Sequence, residues 1–396
     1  MKILVINSGS SSIKFQLLQL PEETLLCKGM ADRIGGKNSQ LEFKTETANI
    51  QETLVLKNHK QGLQKIAELL LDPKVGVIGD KSEIAAVGHR VVQGGSLFSK
   101  TALINAQVKQ EVQAFADLAP LHNPPNYAGI VVAEQLFPEA QQVAVFDTAF
   151  HQTIPEVANL YAIPKKLYTE HGIQVYGFHG VSHQYVSQQA IHYLGLKQSK
   201  IITLHLGNGC SMTAIKDGQS IDHSMGFTPT NGLIMGSRSG DIDQGIIFHL
   251  VDKLDYTLDE VNSLLNKQSG LLGLTGHSDL RDIEALAEQG NQDCLLAIEM
   301  SAYRIKKYIG AYTAAMNGLD AIVFTAGIGE NSQRMRASVC ADMDYYGIQL
   351  DENKNKQKSD DIQEVNTSDS AVKVLVIPTK EELEIAKQAY QLLQGR

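Results

Sequence analysis

Alternating apolar and polar positions predict a β-hairpin at the start of the chain. The apolar run Lys2 to Ile6 is followed by a polar turn, residues 7–12, and then by Ile13 to Leu17, which alternates with period two. A similar unit appears half a chain later, where Lys200 to Leu204 leads through a glycine-containing turn into Met212 to Ile215. Each of these two strand-turn-strand units predicts a β-hairpin.

The two hairpins share one register. When Lys2 is set against Lys200, Gly9 falls on Gly207. This agreement favours a duplicated domain. The alternative is a pair of unrelated hairpins.

Strands alternate with helices along the rest of the chain. Further strands are predicted at residues 84–88, 142–146, 321–325 and 372–377. Helical periodicity predicts helices at residues 62–71, 185–194, 280–288 and 295–316. The alternation indicates an α/β architecture, in which ligands bind at the carboxyl ends of strands. We place a domain boundary near residue 150 and expect the polar stretch 351–370 to be a surface excursion.

Composition narrows the class of protein. The chain has 396 residues, 43% of them hydrophobic, and a formal net charge of -9. This charge argues against a general nucleic-acid binder, which needs an excess of Lys and Arg. The sequence shows no apolar run near the ~20 residues that cross a bilayer. We therefore expect neither nucleic acid nor membrane as a partner.

The cysteines and the first residues of the chain bear on the cellular compartment of the protein. Four scattered cysteines, without a C-x-x-C pair, indicate free thiols in a reducing compartment; they are Cys27, Cys210, Cys294 and Cys340. Residues 1–5 run into the first strand without the pattern of a signal peptide. Both observations predict a cytoplasmic protein.

Three small-residue turns are candidates for binding phosphate. They are residues 7–12, 207–209 and 327–331. Small residues let the backbone approach an anion closely, and exposed N–H groups can then donate to phosphate oxygens. Lys14, on the second predicted strand, could reach a phosphate. The sequence contains neither a G-x-G-x-x-G fingerprint nor a G-x-x-x-x-G-K-[ST] loop, so any ATP would bind by another scheme.

A resemblance to a known family runs from Lys2 to beyond Glu381. It is carried, in chain order, by residues 7–14, 89–95, 120–125, 146–151, 176–180, 205–209, 235–241 and 327–331. These segments resemble the acetate kinase family, within the superfamily of acetate and sugar kinases, Hsp70 and actin. The resemblance implies two duplicated actin-like (ribonuclease H-like) domains with a nucleotide cleft between them. Residues 1–150, joined by a C-terminal helix at about 381–396, would form one domain, and residues 151–380 the nucleotide-binding domain.

The resemblance also implies an activity and its residues. The family transfers the γ-phosphoryl group of ATP reversibly to acetate, giving acetyl phosphate and ADP, with Mg²⁺ (or Mn²⁺) as cofactor, and is homodimeric. The implied catalytic residues are Arg90, Asp147, His179 and Arg238. The implied acetate pocket comprises Arg90, Val92, Leu121, Phe178 and Pro229. The implied nucleotide contacts are Lys14, His205, Leu206, Gly207, Asn208, Gly209, Asp279, Leu280, Arg281, Gly327, Ile328, Gly329, Glu330 and Asn331. The implied metal ligands are Asn7 and Glu381.

Elementary chemistry and helix capping bear on two of these implied roles, those of Asp147 and Glu381. Acetate is already ionised at neutral pH because carboxyl groups titrate near ~4, so its attack requires no proton removal. We therefore hypothesise that Asp147 orients a donor group or a metal ligand and is not a general base. Near the C-terminus, Thr379 and Glu382 have the spacing of a capping box, which would leave Glu381 available for another role.

Several alternative interpretations of single residues and of the whole protein stay open. Asp279 could simply cap a helix. His179 and His183 have a possible metal-ligand spacing, but no glutamate follows His179 as in H-E-x-x-H. For the whole protein, the alternatives are a propionate or butyrate kinase, a sugar kinase, and a non-catalytic ATP-binding protein of the actin or Hsp70 type.

Overall fold

The computed structural model describes residues 1–395, and these divide into two units. Unit 1 comprises residues 1–150 and the chain from Lys380 onward, and unit 2 comprises His151–Thr379. No helix within residues 1–395 is both long and apolar enough to cross a membrane.

The strands are numbered in chain order. They are β1 (Lys2–Ser8), β2 (Ile13–Gln19), β3 (Thr24–Asp32), β4 (Ser39–Thr45), β5 (Asn49–Leu54), β6 (Ile84–Val91), β7 (Ala102–Leu103), β8 (Gln141–Phe146), β9 (Lys200–Leu206), β10 (Cys210–Lys216), β11 (Gln219–His223), β12 (Ala321–Thr325), β13 (Gln363–Glu364) and β14 (Lys373–Val376).

The α-helices are numbered in the same way. They are α1 (His59–Leu71), α2 (Ala106–Ala114), α3 (Asn123–Leu136), α4 (Glu156–Asn159), α5 (Lys166–His171), α6 (Gly180–Leu194), α7 (Gly245–Leu254), α8 (Leu258–Lys267), α9 (Gly270–Thr275), α10 (Leu280–Glu288), α11 (Gln292–Met316), α12 (Ala326–Asn331), α13 (Gln333–Cys340), α14 (Glu352–Asn355) and α15 (Glu381–Gln394). Short 3₁₀ helices occupy Lys81–Glu83, Phe115–Asp117, Ala149–Thr153 and Asp344–Tyr346.

Unit 1 is built on a mixed sheet with strand order β5-β4-β3-β2-β1-β6-β8-β7. Strands β1 to β5 form an antiparallel meander, and β6 and β8 join β1 as parallel neighbours. The central β1 is apolar and buried from Ile3 to Ile6, as expected where both faces of a strand are covered. In β4 buried and exposed residues alternate, so only one of its faces is covered.

Unit 2 repeats this topology. Its sheet has the order β11-β10-β9-β12-β14-β13, with β9, β10 and β11 antiparallel and with β12 and β14 parallel to β9. The shared order is a three-stranded meander followed by two parallel strands. The first hairpin pairs Ser8 with Ile13, and the second pairs Leu206 with Cys210. The predicted α/β fold with a duplicated domain is therefore confirmed.

One local prediction is incomplete and another is wrong. The stretch 351–370 is not only a surface excursion, because it contains α14 and β13 and buries Asn355, Val365 and Asn366. Asn366 is held by accepting a hydrogen bond from the Val374 N–H at 2.9 Å. The polar composition of the stretch 351–370 therefore reflects buried, hydrogen-bonded amide side chains as well as exposed residues.

The capping box at the start of α15 does not form. The residue before the helix is Lys380, which makes no side-chain cap. The Glu382 carboxylate is buried and lies 2.7 Å from Lys14 Nζ, and Gln16 Nε2 donates to it at 3.3 Å. The Thr379 hydroxyl instead makes a hydrogen bond with the Ser182 hydroxyl at 3.0 Å. Correct spacing alone therefore did not determine the partner of Glu382.

Candidate active site

In unit 1, Arg90 and Asp147 form a partly buried ion pair with two hydrogen bonds. Arg90 lies on β6, beyond the predicted end of that strand, and Asp147 directly follows β8. Since β6 and β8 are parallel neighbours, their ends bring the two side chains together. Arg90 Nε donates to Asp147 Oδ1 at 3.0 Å, and Nη2 donates to Oδ2 at 2.5 Å. This geometry fixes the plane of the guanidinium group.

The charges around Arg90 keep it protonated. Burial alone would lower its pKa, but the carboxylates of Asp147 and Glu381 outweigh burial and raise the pKa above its usual range. Asn7 Oδ1 lies 3.5 Å from Arg90 Nη1. Unit 1 thus gathers three of the predicted site residues, Asn7, Asp147 and Glu381, around a fourth, the cationic Arg90.

The predicted acetate-pocket residues of unit 1 lie in different environments. Val92 is buried, and its backbone N–H donates to Asn126 Oδ1 at 3.1 Å. Leu121 precedes α3 and is 53% exposed. Asn126 Nδ2 also donates to the carbonyl of Ser8 at 2.8 Å. Asn126 therefore links the first turn to the end of β6, a role that sequence reasoning missed although Asn126 directly follows the family-like segment 120–125.

In unit 2, His179 and Arg238 lie beside the predicted glycine turn. A Cβ atom built on Gly209 would lie 3.6 Å from His179 Cε1 and 3.7 Å from Arg238 Nη1. Arg238 Nη1 also donates to the carbonyl of Pro229 at 2.9 Å. Burial lowers the pKa of Arg238. The structure therefore brings four predicted residues together: a turn glycine, an imidazole, a guanidinium group and Pro229.

The turn between β9 and β10 is held by the segment around residue 236. The Gly236 N–H donates to the carbonyl of Asn208 at 2.9 Å. A Cβ atom on Gly236 would lie only 2.0 Å from Asn208 Oδ1, so a larger residue there would displace the Asn208 side chain. The Gly207 N–H closes the turn on the carbonyl of Gly209 at 3.2 Å.

Three predicted nucleotide residues line one apolar pocket of unit 2. Leu206 ends β9, Leu280 begins α10 and Ile328 lies in α12, and all three border this pocket. Leu233 and Leu271 add to its wall. Leu206 and Leu280 are buried, so the pocket is a small apolar space between packed side chains.

The third glycine turn is a helix. Residues 326–331 form α12, which follows β12 directly. A Cβ on Gly327 would meet no heavy atom within 4 Å, so the surface beside Gly327 is open. Asn331 Nδ2 donates to the carbonyl of Gly327 at 2.9 Å. The buried Arg336 donates from Nη1 to the carbonyls of Gly329 and Glu330, each at 2.9 Å.

Arg336 thus supports the helix that carries the predicted nucleotide residues. Its Nε also donates to Asn355 Oδ1 at 2.7 Å. No local pattern in the sequence marks this arginine, because its partners are carbonyls and a residue of the stretch expected at the surface.

Two further predicted residues form a local, exposed contact. Asp279 caps α10 by accepting from the Arg281 N–H at 2.9 Å, and Arg281 Nη2 donates to Asp279 Oδ2 at 2.6 Å. Hydrogen bonds from Arg281 lower the pKa of Asp279 to about 2. The capping alternative is therefore observed. The prediction of nucleotide contacts at Asp279 and Arg281 stays a prediction.

Lys14 is also engaged within its own unit. Its Nζ lies 2.7 Å from Glu382 Oε1, and its side chain is 53% exposed. The ammonium group is thus anchored by one buried carboxylate and remains accessible to solvent.

A cluster of histidines surrounds His179. His205 stacks on it with ring centroids 4.2 Å apart. The Ser211 hydroxyl makes hydrogen bonds of 2.8 Å with both His179 Nδ1 and His183 Nε2. His183 Nδ1 pairs with the Thr203 hydroxyl at 2.7 Å. Both ring nitrogens of His183 therefore have protein partners, which argues against the hypothesis that His179 and His183 together bind a metal ion.

The fold and these residues define a class of protein. Two α/β units of shared sheet topology, with partly buried arginines and with glycine-bearing turns after their strands, are consistent with a two-domain, actin-like ATPase fold. Arginine side chains and glycine-bearing turns are groups that bind anions such as phosphate.

The chain belongs to the acetokinase family, whose family model matches residues 2–387. It is 62% identical over 395 residues to an acetate kinase of Flavobacterium johnsoniae, with 100% of both chains covered. Among solved structures, it resembles an acetate kinase of Porphyromonas gingivalis, with 43% identity, a TM-score of 0.93 and 99% of both chains covered. It also resembles a propionate kinase of Francisella tularensis, with 44% identity, a TM-score of 0.92 and 98% of both chains covered.

Proposed function

We propose that this protein transfers the γ-phosphoryl group of ATP reversibly to acetate, giving acetyl phosphate and ADP. Family membership and the 62% identical acetate kinase support this activity. The structural observation that carries it is the Arg90 guanidinium, partly buried and fixed by the buried Asp147 carboxylate. A fixed guanidinium group matches the planar carboxylate of a small acid.

Asp147 acts by orienting Arg90. Its two oxygens accept from Nε and Nη2 of Arg90, so the remaining N–H groups of the guanidinium are directed elsewhere. Acetate arrives as a carboxylate, and its attack on phosphorus releases no proton. The geometry therefore supports the hypothesis that Asp147 orients a donor and is not a general base.

The unit 2 residues stabilise the transferred group. Phosphoryl transfer depends mainly on positioning and on stabilising charge on the phosphoryl oxygens. His179 and Arg238, next to Gly209, provide the N–H donors for these oxygens. The nucleotide cleft between the domains stays a prediction.

Mg²⁺ is the proposed cofactor, and the donor set of unit 1 suits it. Within residues 1–395, no group of three His, Cys, Asp or Glu side chains could hold a metal ion. Asn7 and Glu381 offer one amide and one carboxylate oxygen in the neighbourhood of Arg90. Mg²⁺ commonly takes one or two protein ligands and completes its shell with water and phosphate oxygens. When bound, the ion would neutralise charge on the phosphates.

The acid substrate is tested with a panel. Purified enzyme is incubated with ATP, Mg²⁺ and acetate, propionate or butyrate, and hydroxylamine traps the acyl phosphate. We expect the highest kcat/KM for acetate. A higher value for propionate would favour the alternative to which the Francisella tularensis propionate kinase points. Nucleotide binding without any acyl phosphate would favour a non-catalytic protein of the actin type.

We also propose a homodimer and a cytoplasmic location. Helix α7 is strongly apolar, yet none of its residues is buried; Phe248 is 64% and Leu254 54% exposed. A second copy of the chain would cover this face. Light scattering should give twice the mass of the chain. Phe248→Glu should lower the measured mass, whereas Tyr345→Glu, at another exposed aromatic residue, should not.

The four cysteines, all within residues 1–395, are buried free thiols, which supports a reducing compartment.

A further inference from the structure

Two histidines hold the backbone of Phe178 from both sides. The Phe178 N–H donates to His223 Nε2 at 3.0 Å. The Phe178 carbonyl accepts from His151 Nε2 at 3.0 Å. The two imidazole rings contact each other, with centroids 4.2 Å apart. His151 lies in the 3₁₀ helix Ala149–Thr153, and His223 ends β11, so the contact joins distant parts of unit 2.

These backbone partners determine the tautomer of each ring. His223 Nε2 accepts a hydrogen bond and carries no proton, so its Nδ1–H donates to the Thr213 hydroxyl at 2.8 Å. His151 Nε2 carries the proton that the Phe178 carbonyl accepts. Its Nδ1 therefore accepts from the Ser220 hydroxyl at 2.9 Å.

Burial keeps both rings neutral. It lowers the pKa of His151 to about 4 and the pKa of His223 well below its usual value, and neighbouring histidines lower the pKa of His223 further. A neutral ring offers one donor and one acceptor, which is what the two pairs of partners require.

The backbone on either side of Phe178 is held in left-handed conformations. Gly177 has φ +71°, and His179 has φ +57° and ψ +26°. A non-glycine residue in this region carries strain that its surroundings must compensate. At Gly177 a Cβ would lie 2.6 Å from His151 Cγ, so the ring packs directly against the strained segment.

We propose that His151 and His223 are positioning residues that hold the Phe178 peptide groups and thereby direct the side chains of Phe178 and His179 for the reaction. This inference rests on the proposed function, in which His179 contacts the transferred phosphoryl group, and on the family resemblance, which implies that Phe178 belongs to the acetate pocket. Release of either hydrogen bond allows residues 177–179 to relax. His179 then leaves its place beside Gly209, and Phe178 leaves the acetate pocket.

Replacement by leucine and by glutamine separates hydrogen bonding from packing. His151→Leu and His223→Leu remove the hydrogen bonds and keep much of the apolar bulk. His151→Gln keeps a donor and His223→Gln keeps an acceptor near the Nε2 position, because an amide offers both. For each variant, kcat, the KM values for acetate and ATP, the fraction of folded protein and Tm are measured.

We expect each leucine variant to lose about 10- to 100-fold in kcat/KM for acetate, the range given by one unpaired buried hydrogen-bonding group. The KM for ATP should remain within about twofold, and each glutamine variant should recover most of the loss. A purely structural role would lower Tm while leaving kcat and KM per folded molecule unchanged, and that result would overturn the proposal. Equal losses in the leucine and glutamine variants would also overturn it.

A measurement that needs no activity is made on the wild-type protein. With ¹⁵N-labelled histidine, two-dimensional NMR distinguishes the tautomers, and the glutamine variants assign the signals by their disappearance. We expect the Nδ1–H tautomer for His223 and the Nε2–H tautomer for His151. The opposite tautomer, or a cationic ring at neutral pH, contradicts the proposal. A wild-type protein with the expected tautomers but no acyl phosphate product would refute the proposed function and leave the backbone contacts established.

Discussion

Replacement of Asp147 by Asn tests the central contact of unit 1. Asp147 accepts two hydrogen bonds from Arg90, and its side chain is 1% exposed, so water has little access to replace them. Asparagine keeps one acceptor oxygen and turns an NH₂ group toward an N–H donor. One hydrogen bond to a charged group contributes about 1.5–3 kcal/mol. The expected loss in kcat/KM for acetate is therefore roughly 10- to 160-fold.

The assay is the initial rate of acyl phosphate formation at saturating ATP and varied acetate. Glu134→Gln is the matched control, because Glu134 accepts from Lys109 in a partly exposed pair of the same unit. Such pairs contribute little, so this variant should retain wild-type rates. Tm is measured for both variants to separate lost activity from lost folding.

A double-mutant cycle decides whether Asp147 acts through Arg90. If Asp147 only orients the guanidinium group, Asp147→Asn adds little to the loss caused by Arg90→Gln. Independent, additive losses would mean that Asp147 has a separate chemical role, and the orientation account would be wrong. If the Asp147→Asn variant keeps most of the wild-type kcat, Asp147 orients neither a donor group nor a metal ligand.

Three further variants test specificity, conformation and charge. Val92→Ala should raise kcat/KM for propionate relative to acetate, by up to the ~1–3 kcal/mol that one methylene contributes. Gly177→Ala should lower the free energy of unfolding by roughly 2–5 kcal/mol, since a left-handed residue with a side chain and an overpacked contact both cost energy; urea unfolding measures it. Burial raises the pKa of Asp222 to about 6. The folded protein therefore binds this proton more tightly than the unfolded chain, and stability is lost as the pH rises from about 4 to about 6. Asp222→Asn should raise Tm above pH 6 but not near pH 4.

Each of these variants has a comparison. Val91→Ala, in the adjacent buried core, should lower stability without changing the ratio of propionate to acetate. Gly195 has φ +63° but no heavy atom within 4 Å of a built Cβ, so Gly195→Ala should cost only about 1–2 kcal/mol. Equal costs for Gly177→Ala and Gly195→Ala would contradict the steric argument. For Asp222→Asn, which keeps the acceptor for the His223 N–H, a Tm gain independent of pH would contradict the charge argument.

Much of the fold could be predicted because it depends on local pattern. The apolar run from Lys2 and its counterpart from Lys200 both became strands of 7 residues at the centres of their sheets. Central strands covered on both faces need continuous apolar runs, and such runs are visible in one sequence. The predicted helices 280–288 and 295–316 also formed, the second with three more residues at its start.

Long-range contacts limited the prediction of the site. The spacing of Thr379 and Glu382 fits a capping box, yet Glu382 pairs with Lys14 from the other end of the chain. The hydrogen bonds of His151 and His223 to Phe178 join three segments, and no spacing in the sequence indicates them. Arg90 and Asp147 were predicted singly from the family resemblance, whereas their pairing depends on β6 and β8 being neighbours.

The most direct measurement follows the phosphoryl group itself by ³¹P NMR. Enzyme and Mg²⁺ are mixed with ATP and acetate in one sample, and with ADP and acetyl phosphate in another. At matched starting concentrations, the account predicts that both samples approach the same proportions of ATP, ADP and acetyl phosphate, and that Arg90→Gln slows both approaches. Hydrolysis of ATP to free phosphate without acetyl phosphate, or an unchanged spectrum in both samples, would contradict it.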